Sequence, residues 1–173
     1  LPELVSRSIL PIVADIHFDW RLAMAALDAG VHKLRLNPGN IHNKDGVREV
    51  VKKAKERGTP IRIGVNHGSI GDRQPGETRD EAQRMVDLAM SEIGILESLD
   101  FGDIVVSVKA FDVPTMIAAY RRLAKLVPYA LHLGVTEAGT LVSGSIRSTA
   151  GMSVLLYEGI GDTIRVSLSE DPV

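Results

Sequence analysis

Short aliphatic runs alternate with longer segments of helical period along the whole chain, without interruption. Residues 11–18, 33–37, 61–66, 103–109, 130–136 and 163–168 read as strands, and residues 20–29, 43–57, 78–99, 112–126 and 145–158 as helices. Boundary signals support the division. Asp112 precedes Val113-Pro114, where proline suits a first helical turn, and Gly58 follows Glu56-Arg57, where glycine ends one. Two parallel strands cannot be joined by a tight turn; they need a crossover of about a dozen residues or more, usually a helix. Repeated β-α alternation therefore predicts a parallel sheet covered by helices.

A doubly wound sheet and a (β/α)8 barrel both meet that demand, and side-chain parity separates them. One parity is aliphatic: Ile12, Ala14, Ile16 and Phe18; Leu34 and Leu36; Ile61, Ile63 and Val65; Ile104, Val106 and Val108; Leu131, Leu133 and Val135; Ile164, Val166 and Leu168. These positions are expected to face the helices. The other parity carries Asp15, His17, Arg35, Asn37, Arg62, Asn66, Ser107, Lys109, His132, Thr136, Arg165 and Ser167, toward the C-terminal ends of the strands. An open sheet with helices on both faces is apolar on both, so a polar parity favours a barrel whose mouth is a binding site. The expected fold class is α/β, an incomplete (β/α)8 TIM barrel with about six of its eight parallel strands and outer helices. A closed barrel takes about 250 residues, against 173 here. Residues 1–10 read as the tail of a helix, which places two missing strands upstream. Residues 68–76, rich in glycine and charge, read as an exposed mobile loop.

Composition narrows the functional classes. The 20 basic and 22 acidic residues are scattered and leave a net charge of −2, so no electrostatic footprint for nucleic acid is present. No apolar run approaches the roughly 20 residues of a membrane span. Neither nucleic acid nor a membrane is expected as a partner. The chain has no cysteine, which removes disulfides, a thiol nucleophile and every cysteine-ligated metal site. No H-x-x-x-H or H-E-x-x-H spacing suggests zinc, so no metal ligand is expected. The first residue is Leu, with no basic segment and apolar run after it; no signal peptide is expected, and the natural start is expected upstream.

Four cations, Arg35, Arg62, Lys109 and Arg165, share one parity of four strands near the end where barrel enzymes place their active sites. Gathered at a low-dielectric mouth, they would be unfavourable without an anion, and a diphosphate offers bidentate arginine bonds. The alternative is that each pairs with a carboxylate, but Asp15 is the only inward carboxylate on the strands. Asn37 and Asn66 share the faces of Arg35 and Arg62 and suit hydroxyl binding or loop capping. His17, two residues beyond Asp15, suits phosphate donation or acid catalysis, against a satisfied structural histidine. His132 is expected to pack, and His32, His42 and His67 to lie on the surface. Glu137 is the one carboxylate at the end of its strand, as a reacting group or as an N-cap or salt-bridge partner. The glycines around Gly39, Gly139 and Gly159-Ile160-Gly161 argue for tight turns rather than a dinucleotide fingerprint.

Six runs are familiar in order: Val13-Ala14-Asp15-Ile16-His17-Phe18-Asp19, Leu36-Asn37-Pro38-Gly39-Asn40, Ile61-Arg62-Ile63-Gly64-Val65-Asn66, Ser107-Val108-Lys109-Ala110, His132 through Gly139, and Glu158 through Ser167. Together they closely resemble the 4-hydroxy-3-methylbut-2-enyl diphosphate synthase family over nearly the whole chain. The resemblance implies reductive ring opening of 2-C-methyl-D-erythritol 2,4-cyclodiphosphate in the non-mevalonate isoprenoid pathway. It places the cyclic diphosphate against Arg35, Asn37, Arg62, Asn66, Lys109, Arg165 and Ser167, with His17 nearby and Glu137 facing the reacting centre. It implies a separate C-terminal domain holding a 4Fe–4S cluster through three Cys and one Glu, a ferredoxin or flavodoxin type reductant, a homodimer in which that domain caps the partner's barrel, and a location in the bacterial cytoplasm or plastid stroma.

Two departures stand out: Phe111 occupies a position where serine commonly follows the Lys-Ala pair, and the loop around 73–78 is short. With no cysteine, the chain by itself is expected to bind the cyclodiphosphate without reducing it. The alternative is a phosphate-ester-binding barrel module with no redox role.

Overall fold

A computed structural model describes residues 1–171. The elements are α1 (Pro2–Arg7), β1 (Val13–Asp15), α2 (Trp20–Asp28), β2 (Lys33–Arg35), α3 (Lys44–Arg57), β3 (Ile61–Asn66), α4 (Glu81–Glu97), β4 (Ile104–Lys109), α5 (Val113–Leu123), β5 (Ala130–Leu133), α6 (Leu141–Tyr157) and β6 (Thr163–Ile164), with 3-10 turns at Pro38–Asn40 and His67–Ser69. The strict alternation expected from the sequence is present.

The helices form where local chemistry starts and stops them. Before α3, the Asn43 side chain accepts from Gly46 N at 2.8 Å; Val47, Val50, Val51 and Ala54 form its buried stripe; and Gly58, at φ 61° and ψ 33°, ends it in the left-handed conformation that glycine tolerates. Asp112 caps α5 as expected, its carboxylate accepting from Thr115 N at 2.9 Å and from the Thr115 hydroxyl at 2.6 Å. α6 begins at Leu141, four residues before the expected 145. Gly144 weakens the helical signal there, but packing requires it: a Cβ would stand 2.6 Å from Leu168 Cδ2 and 3.0 Å from Gly139 O.

The described chain forms two compact units: Leu1–Gly64 with Met90–Val105, and Val65–Ala89 with the chain from Val106 onward. In each unit the strands follow chain order. In the first unit, β1 pairs with β2 in parallel (Val13↔Lys33, Asp15↔Arg35), and β2 with β3 (Leu34↔Ile61, Arg35↔Arg62). Its core includes Leu27, Leu34, Leu36, Val50, Ile61, Ile63, Ile93 and Leu96, all fully buried. In the second, β5 pairs with β6 in parallel (His132↔Thr163, Leu133↔Ile164) over a core of Met85, Val106, Val108, Met116, Tyr120, Leu123 and Leu155. The fully buried Tyr120 links β4 to β5: its hydroxyl donates to His132 O at 2.6 Å and accepts from Val108 N at 3.2 Å.

Both outer strands are shorter than expected. β1 covers three of residues 11–18 and β6 two of residues 163–168. β2 and β5 are also shorter than expected, covering three of residues 33–37 and four of residues 130–136, so that Asn37 and Thr136 lie beyond their strands' ends. Among the described residues β1 and β6 each have one neighbour. The expectation that the aliphatic parity faces helices fails at these margins. Ile164 and Val166 are 53% and 47% exposed, and Phe18 and Leu168 are exposed as well. Arg165 and Ser167 accordingly lie beyond the end of β6 rather than within a strand.

Candidate active site

In the first unit the polar parity of β1, β2 and β3 gathers around Gly64. Arg35, 7% exposed, donates through Nη2 to Gly64 O at 2.7 Å and through Nη1 to Asp15 Oδ1 at 3.1 Å; the same Nη1 lies 3.3 Å from His17 Nδ1. His17 Nε2 stands 3.5 Å from the shared Asp15 Oδ1. Asp15, His17 and Arg35 thus form one cluster, and the alternative of a carboxylate partner is realised for Arg35. Asn37, also buried, uses both ends of its amide on one residue: Nδ2 donates to Gly64 O at 2.9 Å, and Gly64 N donates to Oδ1 at 2.7 Å. The side chain continues the ladder as a backbone rung would. Arg62 is half-buried in β3, register partner of Arg35.

In the second unit a cavity of about 320 Å³ opens between the ends of β3, β4 and β5, lined by Asn66, the 3-10 turn His67–Ser69, Phe111, Thr136 and Glu137. It brings together two predicted residues, Asn66 and Glu137. Glu137 is exposed and holds φ 52°, a left-handed conformation that costs a non-glycine residue about 1–3 kcal/mol and clusters at functional sites. It caps no helix; Thr140 precedes α6. Lys109, 5% exposed at the end of β4, passes Gly134: a Cβ there would stand 3.3 Å from Lys109 Nζ and 2.8 Å from Arg165 O. Gly134 therefore leaves room for the lysine just beyond the end of β5. Arg165 is exposed and Ser167 half-buried.

Sequence reading missed three relationships. Gly64 interrupts an apolar strand, a signal of close backbone approach. Arg147 on α6 stacks 4.1 Å over the Phe111 ring and donates to Ala138 O at 3.3 Å, joining the loops after β4 and β5; no local pattern encodes such a pair. Glu92, on the apolar side of α4, has no motif at all. His32, His42 and His67 are exposed as expected, and His132 is half-buried with Nδ1 2.8 Å from Thr163 Oγ1.

Parallel strands in chain order, joined by helices and carrying charged and amide side chains toward their C-terminal ends, define a domain of the (β/α)-barrel class. The model of the GcpE TIM-barrel domain family matches residues 1–173, and the chain belongs to that family. It is 61% identical over 163 residues to the 4-hydroxy-3-methylbut-2-en-1-yl diphosphate synthase (flavodoxin) of Dehalococcoides mccartyi, covering 94% of this chain and 47% of that protein. To the protein of the same name from Geobacillus thermodenitrificans it is 53% identical over 174 residues, covering all of this chain and 46% of the relative. The chain thus spans about half the length of the curated relatives it matches. Among solved structures, a dihydropteroate synthase from Coxiella burnetii superposes with TM-score 0.64 at 15% identity, covering 95% of this chain and 65% of that one. The HMG-CoA lyase from Brucella melitensis gives 0.63 at 16%, covering 99% and 64%. These two likenesses concern the fold alone.

Proposed function

We propose that the chain is the substrate-binding barrel of a 4-hydroxy-3-methylbut-2-enyl diphosphate synthase of the non-mevalonate isoprenoid pathway, acting on 2-C-methyl-D-erythritol 2,4-cyclodiphosphate. The observation that carries this reading is the match of residues 1–173 to the GcpE TIM-barrel domain family, whose relatives bear the synthase's name. Within each unit a cation is buried at the C-terminal end of a parallel strand, Arg35 in one and Lys109 in the other. Buried cations are stabilised by charge-assisted bonds, and a cyclic diphosphate supplies several acceptor oxygens in a small volume. The relatives' names point to the same chemistry.

In the reaction a ring C–O bond to phosphate breaks, two electrons and two protons enter, and a hydroxyl group leaves as water. Arg35, Arg62, Lys109 and Arg165 neutralise the diphosphate; Asn37, Asn66 and Ser167 orient it, with His17 beside them. Glu137, presented to the cavity by its left-handed turn, faces the reacting carbon and handles the proton of the departing hydroxyl. A 4Fe–4S cluster does not fit this chain: there is no cysteine, and no group of three or more His, Asp or Glu among the described residues is placed to hold a metal. Binding and orientation belong to these residues. Electron delivery belongs to a separate domain, with a flavodoxin or ferredoxin type reductant, in a cytoplasmic homodimer.

Two measurements test the reading. Calorimetry should detect cyclodiphosphate binding by the chain, without turnover, and the full-length protein should form 4-hydroxy-3-methylbut-2-enyl diphosphate with reduced flavodoxin. Glu137→Ala should abolish the second; undiminished activity would remove Glu137 from the chemistry. Binding by the chain with no product from the full-length protein would favour the alternative of a phosphate-ester-binding barrel module without redox activity.

A further inference from the structure

We infer that Glu92 is a positioning residue that clamps the turn after β2 and thereby fixes the polar end of that strand; its consequence for substrate rests on the proposed function. Glu92 lies in the C-terminal half of α4, is 3% exposed, and accepts from Gly39 N through Oε2 at 2.6 Å. It forms no ion pair among the described residues. A buried carboxylate held by one N–H is costly, and a leucine would satisfy the packing of α4 better. The acceptor must therefore contribute something that an apolar residue cannot.

The surrounding geometry shows what that is. Within the Pro38–Asn40 turn, Asn40 N donates to Asn37 O at 3.0 Å and Ile41 N to Pro38 O at 3.2 Å. The Gly39 amide lies between these two bonds, and Glu92 takes it. Gly39 and Glu92 are also matched sterically, since a Cβ on Gly39 would collide with Oε1 and stand 3.2 Å from Oε2. Two residues before the glycine, Asn37 is bonded at both ends of its amide to Gly64, whose carbonyl also receives Arg35. Glu92, Gly39, Asn37, Gly64 and Arg35 form one continuous set of contacts. Burial raises the carboxyl pKa and the Gly39 N–H opposes the rise, so the group stands where its surroundings resist ionisation.

The test compares substitutions in the full-length protein. Glu92→Gln keeps an acceptor for Gly39 N and should leave KM for the cyclodiphosphate near the wild-type value. Glu92→Leu should raise KM by about tenfold, the scale of one lost hydrogen bond, with kcat little changed. Gly39→Ala should raise KM by forcing the turn off the carboxylate, and Glu92→Ala in that background should relieve part of the defect. This variant also carries the test if Glu92→Leu does not fold. Amide exchange at Gly39 should quicken in Glu92→Leu and not in Glu92→Gln. A lower melting temperature with unchanged KM in both Glu92→Leu and Gly39→Ala would overturn the inference. If the wild-type protein does not turn over the cyclodiphosphate, the proposed function fails by itself, and the Gly39 exchange comparison still decides the clamp: unchanged exchange overturns it.

Discussion

The guanidinium of Arg35 lies where a side chain on Gly64 would be. A Cβ there would collide with Arg35 Nε and stand 3.0 Å from Nη2, while the Gly64 carbonyl accepts from Nη2 at 2.7 Å. The arginine is thus held by the backbone of β3 as much as by Asp15, and the strand must be bare at that point.

Gly64→Ala should therefore destabilise the protein by about 1–3 kcal/mol, as overpacking does. Denaturant unfolding checks the value, and the penalty should shrink in an Arg35→Ala background, where the space is vacated.

Tyr120→Phe should cost about 1–3 kcal/mol, because it strands a buried Val108 N–H and a His132 carbonyl that the hydroxyl now satisfies. Thermal or denaturant unfolding measures it. A loss no larger than that of a surface substitution would mean that water replaces the hydroxyl.

How far the sequence carries the fold depends on how local each signal is. The alternation, the Asp112 cap and the Gly58 terminus depend on neighbours along the chain and are where the periodicity and turn chemistry place them. The limits of β1 and β6 depend on which strands lie beside them, which no local pattern records; hence Arg165 and Ser167 lie outside the strand expected to hold them. Parity selected Arg35, Asn37, Arg62, Asn66 and Lys109, because alternation along a strand is fixed geometry. It could not show that Asn37 spends its amide on Gly64, nor that Glu92 reaches Gly39 from a residue 53 positions away.

Stability should depend on pH through Glu92. Desolvation raises its folded pKa above the usual 4.5, against the opposing Gly39 N–H. The folded state then holds the proton more tightly than the unfolded one, so the contribution is fully present below the usual value and is lost as pH rises through the folded value. Relative to Glu92→Gln, the wild-type protein should lose melting temperature as pH rises from about 4 to about 8. A constant difference across that range would show that the carboxyl is not perturbed.

Arg147→Met should loosen the loops after β4 and β5 at once, since Arg147 touches the Phe111 ring and the Ala138 carbonyl. A partly exposed cation–π pair contributes about 0.5–1 kcal/mol, so global stability should change little. The readout is the turnover number of the full-length protein, expected to fall because Glu137 immediately precedes Ala138 and lines the same cavity as Phe111. Phe111→Ser should act in the same direction and add little to Arg147→Met.

The bare flanks of β1 and β6 bear on how the chain behaves in a test tube. Among the described residues each has a strand neighbour on one side only, next to exposed apolar side chains: Val13 on β1 with Phe18 just beyond it, and Ile164 on β6 with Val166 just beyond it. Such borders invite another copy to add on by strand pairing, a route to oligomers and fibrils. Purified alone, the chain should become turbid as it is concentrated, and light scattering should rise more slowly once lysines replace Val13 and Ile164. Solubility, rather than folding, would then set the working concentration for every binding experiment on it.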